Sequence, residues 1–522
     1  GYDNANYLVE TDGIKYVFKT YPFSEETLSL VNAEIEILLA ISNEKGTYPE
    51  PIAFTDGSYL QVIEIEGKTT ICRLLTFLEG TFLGDTIHTP KLLASLGTFL
   101  GELDKQLIPL TNYRFNAREW EWDIQYLHLN EKYIDDIPVA RDRSLVLYFL
   151  QQFRLHVVPE IPYLRKSIIH NDANEWNILV NNNSIAGLID FGDLAYTPLI
   201  NELAVAATYV AYDKSDPLIW ASYVIKAYHQ VLPLQEKELS LLYYLIAARL
   251  CISVCNSAHA RVADPDNNYA GISEENAWKT LYHWLSISPT KAKNSFLKAA
   301  GMPIQQPFNI DEALTKRQQF ISPILSLSYK TPIHMERAAF QYMYDVNGTT
   351  FLDAYNNIPH VGHSHPKVVA AGSKQMAQLN TNTRYVYDML AEYAEKLLSK
   401  FPAQLKKVYF VNSGSAASDL AIRMATAHTG HRKIMVMEHG YHGNTQMSMD
   451  ISDYKFSNKK GAGQKEHILK TPIPDTYRGK YQNNDGTSGQ QYAMEAIETV
   501  RQSETPIAAF ISEPIVGCGG QV

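Results

Sequence analysis

The sequence feature that most constrains the fold of this 522-residue chain is a loop that leads into a tight hairpin. Two short apolar runs, 178–180 and 185–191, are separated by three consecutive asparagines and therefore predict two strands joined by a turn. Polar residues stand before the first strand and at the end of the second: His170, Asn171, Asp172, Asn177, Asp190, with Phe191 and Gly192 after it. A hairpin of this kind brings the groups at its two open ends to one point.

These residue types suit phosphoryl transfer. The reaction needs a carboxylate near the attacking hydroxyl, and oxygen ligands that hold magnesium on the nucleotide phosphates. We interpret Asp172 as the group that orients an alcohol and accepts its proton, and Asn177 and Asp190 as the magnesium ligands. Each motif alone could be a chance match or a strand-end turn. Their spacing, downstream of a strand that carries a lysine, favours the catalytic interpretation.

The chain upstream of this hairpin is rich in strand signals. Two runs within 6–20 flank an Asp-Gly turn, and apolar residues at helical spacing follow at 25–41. Lys19, on the second run, suits the α- and β-phosphates of ATP. Glu34, on the helix, is predicted to pair with Lys19, and Glu36 is the alternative partner.

Residues 1–80 are therefore predicted to form a small β-rich lobe, and residues 81–285 a mostly helical one. The loop and hairpin, together with the segment 2–9, resemble the aminoglycoside/choline phosphotransferase family, and most of all its hydroxylysine-kinase branch. The resemblance implies a protein-kinase-like two-lobed fold, with the phosphate-covering loop at 1–6 and the adenine-contacting hinge near 76–80.

The same resemblance supports the roles given above to the base and the two metal ligands. It also implies that His170 holds the loop rather than taking part in the chemistry. An amino-alcohol acceptor carries a positive charge, which acidic and aromatic side chains suit. Asp193 and the segment 120–123 are therefore candidates for the acceptor pocket, although such residues are more often surface or core positions.

Prolines punctuate 286–331, which predicts a linker there. In the remainder, 332–522, helices alternate with short apolar runs, which predicts strands of a sheet covered on both faces. The runs in question are 408–411, 434–437 and 508–511, and an amphipathic helix is predicted at 387–401.

A second group of residues suits a phosphate-bearing cofactor. Gly414 and Ser415 follow the first of these runs and begin a predicted helix, where backbone N–H groups and the macrodipole favour a phosphate. Tyr441, followed by His442, offers a ring that can stack on a cofactor. Glu513, in the run Ser512-Glu513-Pro514, follows the last predicted strand.

The second part resembles class III (fold type I) pyridoxal-phosphate (PLP) enzymes, and most of all the ethanolamine-phosphate and phosphohydroxylysine phospho-lyases. The matching runs are 356–366, 379–385 and 474–481. The resemblance implies that the Gly-Ser pair binds the PLP phosphate, that the Tyr-His pair lies at the pyridine ring, and that Glu513 lies near the ring or the substrate. It also implies a homodimer, since this family builds its site between two subunits.

The chain departs from that family in two ways. Ala416 and Ser418 stand where the family usually has Glu and Asn. The family's aspartate for the pyridine nitrogen and its Schiff-base lysine lie beyond Glu513, so we expect a chain that is part of a longer protein, with an incomplete PLP site. A zinc site at the histidines of 360–365 is an alternative, but their spacing in a Gly- and Pro-containing loop disfavours it.

The amino-acid composition limits which binding partners and which cellular location are expected. The formal net charge of −10 disfavours a nucleic acid. No continuous apolar run of about 18 residues occurs, so no membrane span is expected. The four cysteines form no C-x-x-C pair, which predicts reduced thiols and a cytoplasmic protein.

The sequence therefore predicts a multidomain α+β and α/β enzyme, with a kinase-like fold followed by a partial fold type I PLP-transferase domain. Hydroxide is a poor leaving group and phosphate a good one, so a kinase can prepare an amino-alcohol for PLP-dependent elimination of phosphate and ammonia. PLP chemistry needs a primary amine, which favours hydroxylysine or ethanolamine over choline. A kinase fused to a true class III aminotransferase, or to a non-catalytic dimerisation module, remains the alternative.

Overall fold

The computed structural model describes residues 5–41, 46–265, 274–304, 306–356, 359–482 and 485–520. The chain divides into two compact units, Gly1–Asn380 and Thr381–Val522. The predicted phosphate-covering loop at 1–6 lies outside the described residues up to position 4, and its last two residues belong to the first strand.

The first unit begins with an antiparallel sheet and one helix. Its elements are β1 (Ala5–Thr11), β2 (Ile14–Pro22), α1 (Glu25–Ala40), β3 (Pro51–Ile52), β4 (Gln61–Ile65) and β5 (Lys68–Thr76). The sheet order is β1-β2-β5-β3, and β4 also pairs with β5. Ser24 caps α1 by accepting the N–H of Thr27, and the helix buries Val31 and Ile35 in a core shared with Ile71 of β5. The predicted hairpin and helix are confirmed.

A mostly helical lobe follows. Its elements are β6 (Thr81–Phe82), α2 (Pro90–Leu107), α3 (Tyr113–Ala117), α4 (Ala140–His156), β7 (Lys166–Ile169), β8 (Ile178–Asn181), β9 (Ser184–Leu188), β10 (Ala195–Pro198), α5 (Ile200–Val210), α6 (Pro217–Val231), α7 (Glu236–Ala263), α8 (Glu274–Ser286), α9 (Pro289–Ala299) and α10 (Ile310–Phe320). Strands β6, β8 and β9 form one antiparallel sheet, and β7 pairs with β10. The predicted hairpin is confirmed, although its second strand ends at Leu188. It stops before Asp190, whose left-handed backbone (φ 63°) does not continue a strand.

Helix α7 runs through the centre of this lobe and packs against α4, α5, α8 and α9. Among the described residues it is the one helix whose length and apolar composition would suffice to cross a membrane, and 89% of its most apolar window is buried inside the protein. Burial against neighbouring helices accounts for that composition. Arg249, one of its buried polar residues, belongs to the site described below.

The first unit continues past the predicted linker. Its last elements are β11 (Met335–Ala339), β12 (Tyr342–Asp345), β13 (Thr350–Leu352) and α11 (Pro366–Gln378). Within the stretch predicted as a linker, 286–331, the structure has α9, which buries Phe296 and Leu297. Pro289 occupies the first turn of α9 after the Ser288 cap, where a proline is tolerated because its missing N–H is not needed. The unit extends to Asn380, whereas the predicted boundary stood at 331.

The second unit contains a parallel three-stranded sheet with helices. Its elements are α12 (Asp388–Leu398), α13 (Gly414–Thr429), β14 (Lys433–Met437), α14 (Gln446–Asp450), α15 (Asp453–Phe456), β15 (Ile468–Thr471), α16 (Thr487–Arg501) and β16 (Ile507–Ile511). Strand β14 lies in the centre, between β15 and β16. Ile434, Ile468 and Ile422 of α13 belong to its core.

Two predictions for this unit are wrong. The run 408–411 forms no strand, and Tyr409 and Phe410 within it are exposed. An apolar run becomes a strand only where a neighbouring strand accepts its backbone hydrogen bonds, and sequence periodicity does not reveal that neighbour. The sheet is also not covered on both faces along its whole width, since Phe510 of β16 is 48% exposed.

Candidate active sites

The backbone of the loop before β8 is fixed by its neighbours. Asn171 adopts a left-handed conformation (φ 66°) and donates its N–H to Glu202 Oε2 at 3.0 Å. His170 is fully buried, its Nε2 lies 3.1 Å from the carbonyl oxygen of Ile189, and its ring meets Phe191 edge-on at 4.7 Å. Burial lowers the pKa of His170 to about 4, so the ring is neutral near pH 7. This histidine therefore ties the loop to the end of the hairpin.

Asp172 accepts hydrogen bonds on both carboxylate oxygens. Its Oδ2 receives the side-chain amides of Asn177 at 2.7 Å and Asn174 at 2.9 Å, and its Oδ1 receives Arg249 Nη2 at 2.7 Å. Burial raises the pKa of Asp172, while the Arg249 guanidinium opposes that rise. Because the amide nitrogen of Asn177 points to Asp172, its oxygen is the atom suited to a metal ion.

Lys19 and Asp190 form an ion pair, with Lys19 Nζ at 2.7 Å from Asp190 Oδ1. Burial alone would lower the pKa of Lys19, but Asp190, with smaller contributions from Tyr21 and Glu34, raises it above its ordinary value. Burial likewise opposes ionisation of Asp190, but Lys19 holds the pKa of this carboxyl below its ordinary value. Asp190 also raises the pKa of Asp172, which places the two carboxyls in one electrostatic neighbourhood. The predicted base and metal ligands thus come together.

Glu34 does not bond Lys19 as predicted. Its carboxylate oxygens accept Arg73 Nη2 at 2.8 and 2.7 Å. Arg73 of β5 lies directly opposite Lys19 of β2 in the sheet, so the two side chains lie on the same face. Both cations can therefore reach the Glu34 carboxylate on α1, and they compete for it. The guanidinium fork of arginine suits a buried carboxylate better than an ammonium does. Glu36, the alternative, accepts Asn112 Nδ2 at 2.9 Å.

Two of the candidates for the acceptor pocket meet. Trp120 Nε1 donates to Asp193 Oδ1 at 3.1 Å, and the Arg118 guanidinium lies over the Trp120 ring at 4.4 Å. Burial raises the pKa of Asp193, and Arg118 opposes that rise. Asp123, by contrast, bonds Thr197 and Gln125 in the buried interior, which is a structural arrangement.

Sequence reasoning missed Arg249, which bonds the predicted base. Its side chain is 1% exposed, donates to the Tyr209 hydroxyl and to the carbonyl of Trp122, and lies over the Trp122 ring at 5.0 Å. The available signal was an arginine in the middle of a long apolar helix. A buried arginine needs a carboxylate partner, and the loop carboxylate was the obvious candidate.

The oxygen atoms at this site fit magnesium. Asn177 and Asp190 offer hard oxygen ligands, and magnesium commonly takes one or two protein ligands together with substrate phosphates. Within the described ranges no three His, Cys, Asp or Glu side chains are grouped to hold a metal without such a substrate. His363, from the alternative zinc site, instead bonds Asp353 Oδ2 at 2.7 Å.

The second unit assembles its candidates around the start of α13. Ser413 caps this helix by accepting the N–H of Ala416, and Gly414 and Ser415 form its first turn. Ser415 Oγ accepts the N–H of Asn444 at 3.0 Å. Gly443, at φ 130°, lies so close to Ser415 that a Cβ there would be 2.7 Å from Oγ. The turn after Tyr441 therefore sits directly on the helix N-terminus.

A hydrogen bond links the backbone of Tyr441 to the side chain of Glu513. The N–H of Tyr441 donates to Glu513 Oε1 at 2.7 Å, and the tyrosine ring stays 37% exposed beside Lys455. The neighbouring His442 is buried, donates its N–H to Ser452 Oγ, and burial lowers the pKa of its ring. A helix N-terminus beside an accessible ring fits a phosphate-bearing aromatic cofactor such as PLP.

Two families account for most of the chain. Residues 1–238 match the phosphotransferase enzyme family, and residues 326–522 match the class-III aminotransferases. The chain therefore joins a phosphotransferase-family part to a class III aminotransferase part. The first family implies ATP and the second implies PLP.

Curated relatives divide in the same way. "Alanine–glyoxylate aminotransferase 2-like" of Drosophila melanogaster is 40% identical over 40% of this chain and 44% of its own length. "Ethanolamine-phosphate phospho-lyase homolog 1" of Caenorhabditis elegans is 38% identical over 41% of this chain and 48% of its own length. "Hydroxylysine kinase" of Xenopus laevis is 25% identical over 54% of this chain and 82% of its own length.

The chain spans about half the length of the first two of these relatives. Among solved structures, a phospholyase from Arthrobacter in complex with phosphoethanolamine is 31% identical over 39% of this chain and 48% of its own, with a TM-score of 0.36.

Proposed function

We propose that the first part of this protein transfers the terminal phosphoryl group of ATP to the hydroxyl of a small amino-alcohol. The observation that carries the proposal is the hydrogen bonding of Asp172 to Asn177 and Arg249, in the same neighbourhood as the Lys19–Asp190 pair. Asp172 would orient the hydroxyl and accept its proton, and this kind of positioning supplies most of the catalysis in phosphoryl transfer.

The nucleotide would bind between the β-rich sheet and the helical lobe. Lys19 would leave Asp190 to contact the α- and β-phosphates, and Asn177 and Asp190 would hold magnesium, which neutralises charge on the phosphates. His170 would keep the loop in register by its contact with Ile189.

We further propose that the second part serves a PLP-dependent phospho-lyase that consumes the kinase product. PLP would supply an electron sink for the carbon that bears the amine. Gly414 and Ser415 would bind its phosphate, Tyr441 with His442 would lie at its ring, and Glu513 near the ring or substrate. Overall, the amino-alcohol phosphate and water would give a carbonyl compound, ammonia and phosphate. A homodimer formed through this part and a cytoplasmic location belong to the same proposal.

The names of two relatives support this pairing, because a kinase for a hydroxylated amine makes the class of compound that an ethanolamine-phosphate phospho-lyase homologue would consume. A true aminotransferase is the second candidate, favoured by the name of the Drosophila relative. Amino transfer to a keto acid without phosphate release would support the aminotransferase. A non-catalytic dimerisation module would show neither activity.

The kinase proposal is tested by ADP formation with hydroxylysine, ethanolamine or choline as acceptor. We expect turnover with at least one primary amino-alcohol, and a loss of about 10³-fold or more in kcat for Asp172→Asn, because the base and its positioning are removed together. The exposed Glu275→Gln is a matched acid-to-amide control that should retain full activity. Turnover with choline alone, or full activity of Asp172→Asn, would contradict the proposal.

A further inference from the structure

Glu175 is a buried acid that the proposed chemistry leaves without a role. It lies three residues after the proposed base, and its residue surface is 9% exposed. Its Oε2 atom is buried and has no hydrogen-bond partner among the residues the structure describes. Burying a carboxylate oxygen without a partner costs free energy, so the position calls for a ligand or a second explanation.

The backbone and the first part of this side chain are held in place. The carbonyl oxygen of Glu175 accepts the N–H of Gly84 at 3.0 Å. Gly84 packs so closely that a Cβ there would be 3.2 Å from Glu175 Cγ and 3.1 Å from the Trp176 ring. The carboxyl group is therefore presented by a fixed stem, which lowers the entropy cost of binding a ligand.

The carboxyl is coupled electrostatically to the same groups that surround the base. Burial raises the pKa of Glu175, and the guanidinium of Arg249, which bonds Asp172, partly opposes that rise. The charge of Glu175 in turn raises the pKa of the Tyr209 and Tyr212 hydroxyls. The Glu175 carboxyl thus shares its surroundings with aromatic rings and with the guanidinium that holds the base.

The charges around the loop do not balance. Five carboxyl groups lie there, from Asp172, Glu175, Asp190, Asp193 and Glu202, against three cations, from Lys19, Arg118 and Arg249. Three of the carboxylates each face one of these cations. Of the two that remain, Glu202 accepts the N–H of Asn171, whereas Glu175 Oε2 accepts no hydrogen bond from the described residues and is therefore the atom left for a bound cation.

We propose that Glu175 binds the ammonium group of the acceptor, and so selects amino-alcohols over alcohols that have no amine. This inference rests on the proposed kinase function. An ammonium would donate to the unpartnered oxygen while its hydroxyl end reaches Asp172, and the nearby tyrosine rings suit a cation as well.

The test separates recognition of the amine from a structural role. With the full chain, the KM of the best amino-alcohol is measured by ADP formation, and the diol with the same carbon skeleton is measured as an inhibitor. We expect Glu175→Gln to raise the KM of the amino-alcohol about 10- to 100-fold, as for loss of a charge-assisted hydrogen bond. The KM of ATP, the kcat at saturating acceptor and the inhibition constant of the diol should stay within about twofold.

The amide variant is suited to this test because it preserves the shape of the side chain and removes only its charge. Glu175→Asp, which keeps the charge on a shorter stem, should recover part of the loss, and Glu275→Gln is the exposed control. Equal changes for amino-alcohol and diol, or no change in either, would overturn the proposal and leave the kinase function intact.

A wild-type chain that forms no ADP with any alcohol would instead defeat the proposed function. Glu175 is then tested by equilibrium dialysis with radiolabelled ethanolamine. Binding that Glu175→Gln abolishes would support the ammonium site. Binding that the variant retains, or no binding to the wild-type chain, would overturn it.

Discussion

The two candidate sites are built in different ways. In the first unit, side chains position one another: Arg249 and Asn177 hold Asp172, and Lys19 holds Asp190. In the second unit, backbone groups do this work, since the acidic candidate Glu513 accepts the N–H groups of Tyr441 and Gly517. Side-chain networks fix the positions of charges, whereas backbone turns leave a ring and a helix end partly exposed.

The difference also concerns burial. Lys19 and Arg249 are almost fully enclosed and the Asp172 side chain is only 17% exposed, so small changes in charge alter the pKa of their partners. Tyr441 and the first turn of α13 remain partly exposed, so steric fit should matter more there than electrostatics. Three substitutions test this comparison.

The largest expected effect is at Arg249. Arg249→Lys keeps the charge, but an ammonium cannot replace the fork that bonds Asp172, Tyr209 and Trp122 together. We expect kcat/KM to fall about 10- to 100-fold near pH 7, as the base loses both its position and part of its stabilisation as an anion. The pKa of Asp172 should rise, so the acidic limb of the pH profile of kcat/KM should move to higher pH.

A purely structural arginine would lower activity at all pH values without moving that limb. The measurement is ADP formation between about pH 5.5 and 9, with chemical denaturation of the same samples to exclude loss of folding. An unmoved acidic limb would show that side-chain charges do not organise the first site.

An intermediate effect is expected in the second unit, where steric fit should control PLP binding. Gly443→Ala would place a methyl 2.7 Å from Ser415 Oγ and force the turn away from the helix N-terminus. We expect the dissociation constant of PLP, measured by equilibrium dialysis, to rise about tenfold, equivalent to about 1.4 kcal/mol.

Gly463→Ala is the matched control for that variant. Gly463 also has a positive φ, of 80°, but nothing lies within 4 Å of the added methyl. It should therefore bear the backbone strain without the clash and leave PLP binding nearly unchanged. Equal effects of the two variants would mean that strain, and not the approach to Ser415, controls the site.

The smallest effect concerns stability. Glu202 holds the N–H of Asn171 in the interior, and burial raises its pKa to about 7, above the ordinary value near 4.3. The folded state therefore keeps a proton that the unfolded state loses, and the free energy of unfolding should fall as pH rises from about 4 to about 7. Glu202→Gln carries no titrating group, so this part of the pH dependence should disappear.

We expect the variant to reduce the difference in unfolding free energy between pH 5 and pH 7.5 by about 1–2 kcal/mol in urea denaturation. The exposed Glu312→Gln serves as the control and should leave that difference unchanged. A slope that Glu202→Gln does not alter would mean that Glu202 is ionised in the fold.

Several features could be predicted because they depend on neighbours in the sequence. The hairpin of β1 and β2, the start of α1 and the loop before β8 follow from turn residues, caps and short apolar runs. The three central residues of the first site were predictable because loop and hairpin lie within about twenty residues. The turn after Tyr441 and the start of α13 were predictable for the same local reasons.

Partners from distant parts of the chain could not be predicted. The pairing of Glu34 with Arg73, the arrival of Arg249 at Asp172 and the missing strand at 408–411 depend on which elements pack together. The role of Pro289, at the start of a helix and not in a linker, was decided by the burial of α9. The sequence alone determines which chemical groups a residue can offer. Packing decides which other residue pairs with each charged group. Long-range contacts, which local propensity does not encode, decide that choice.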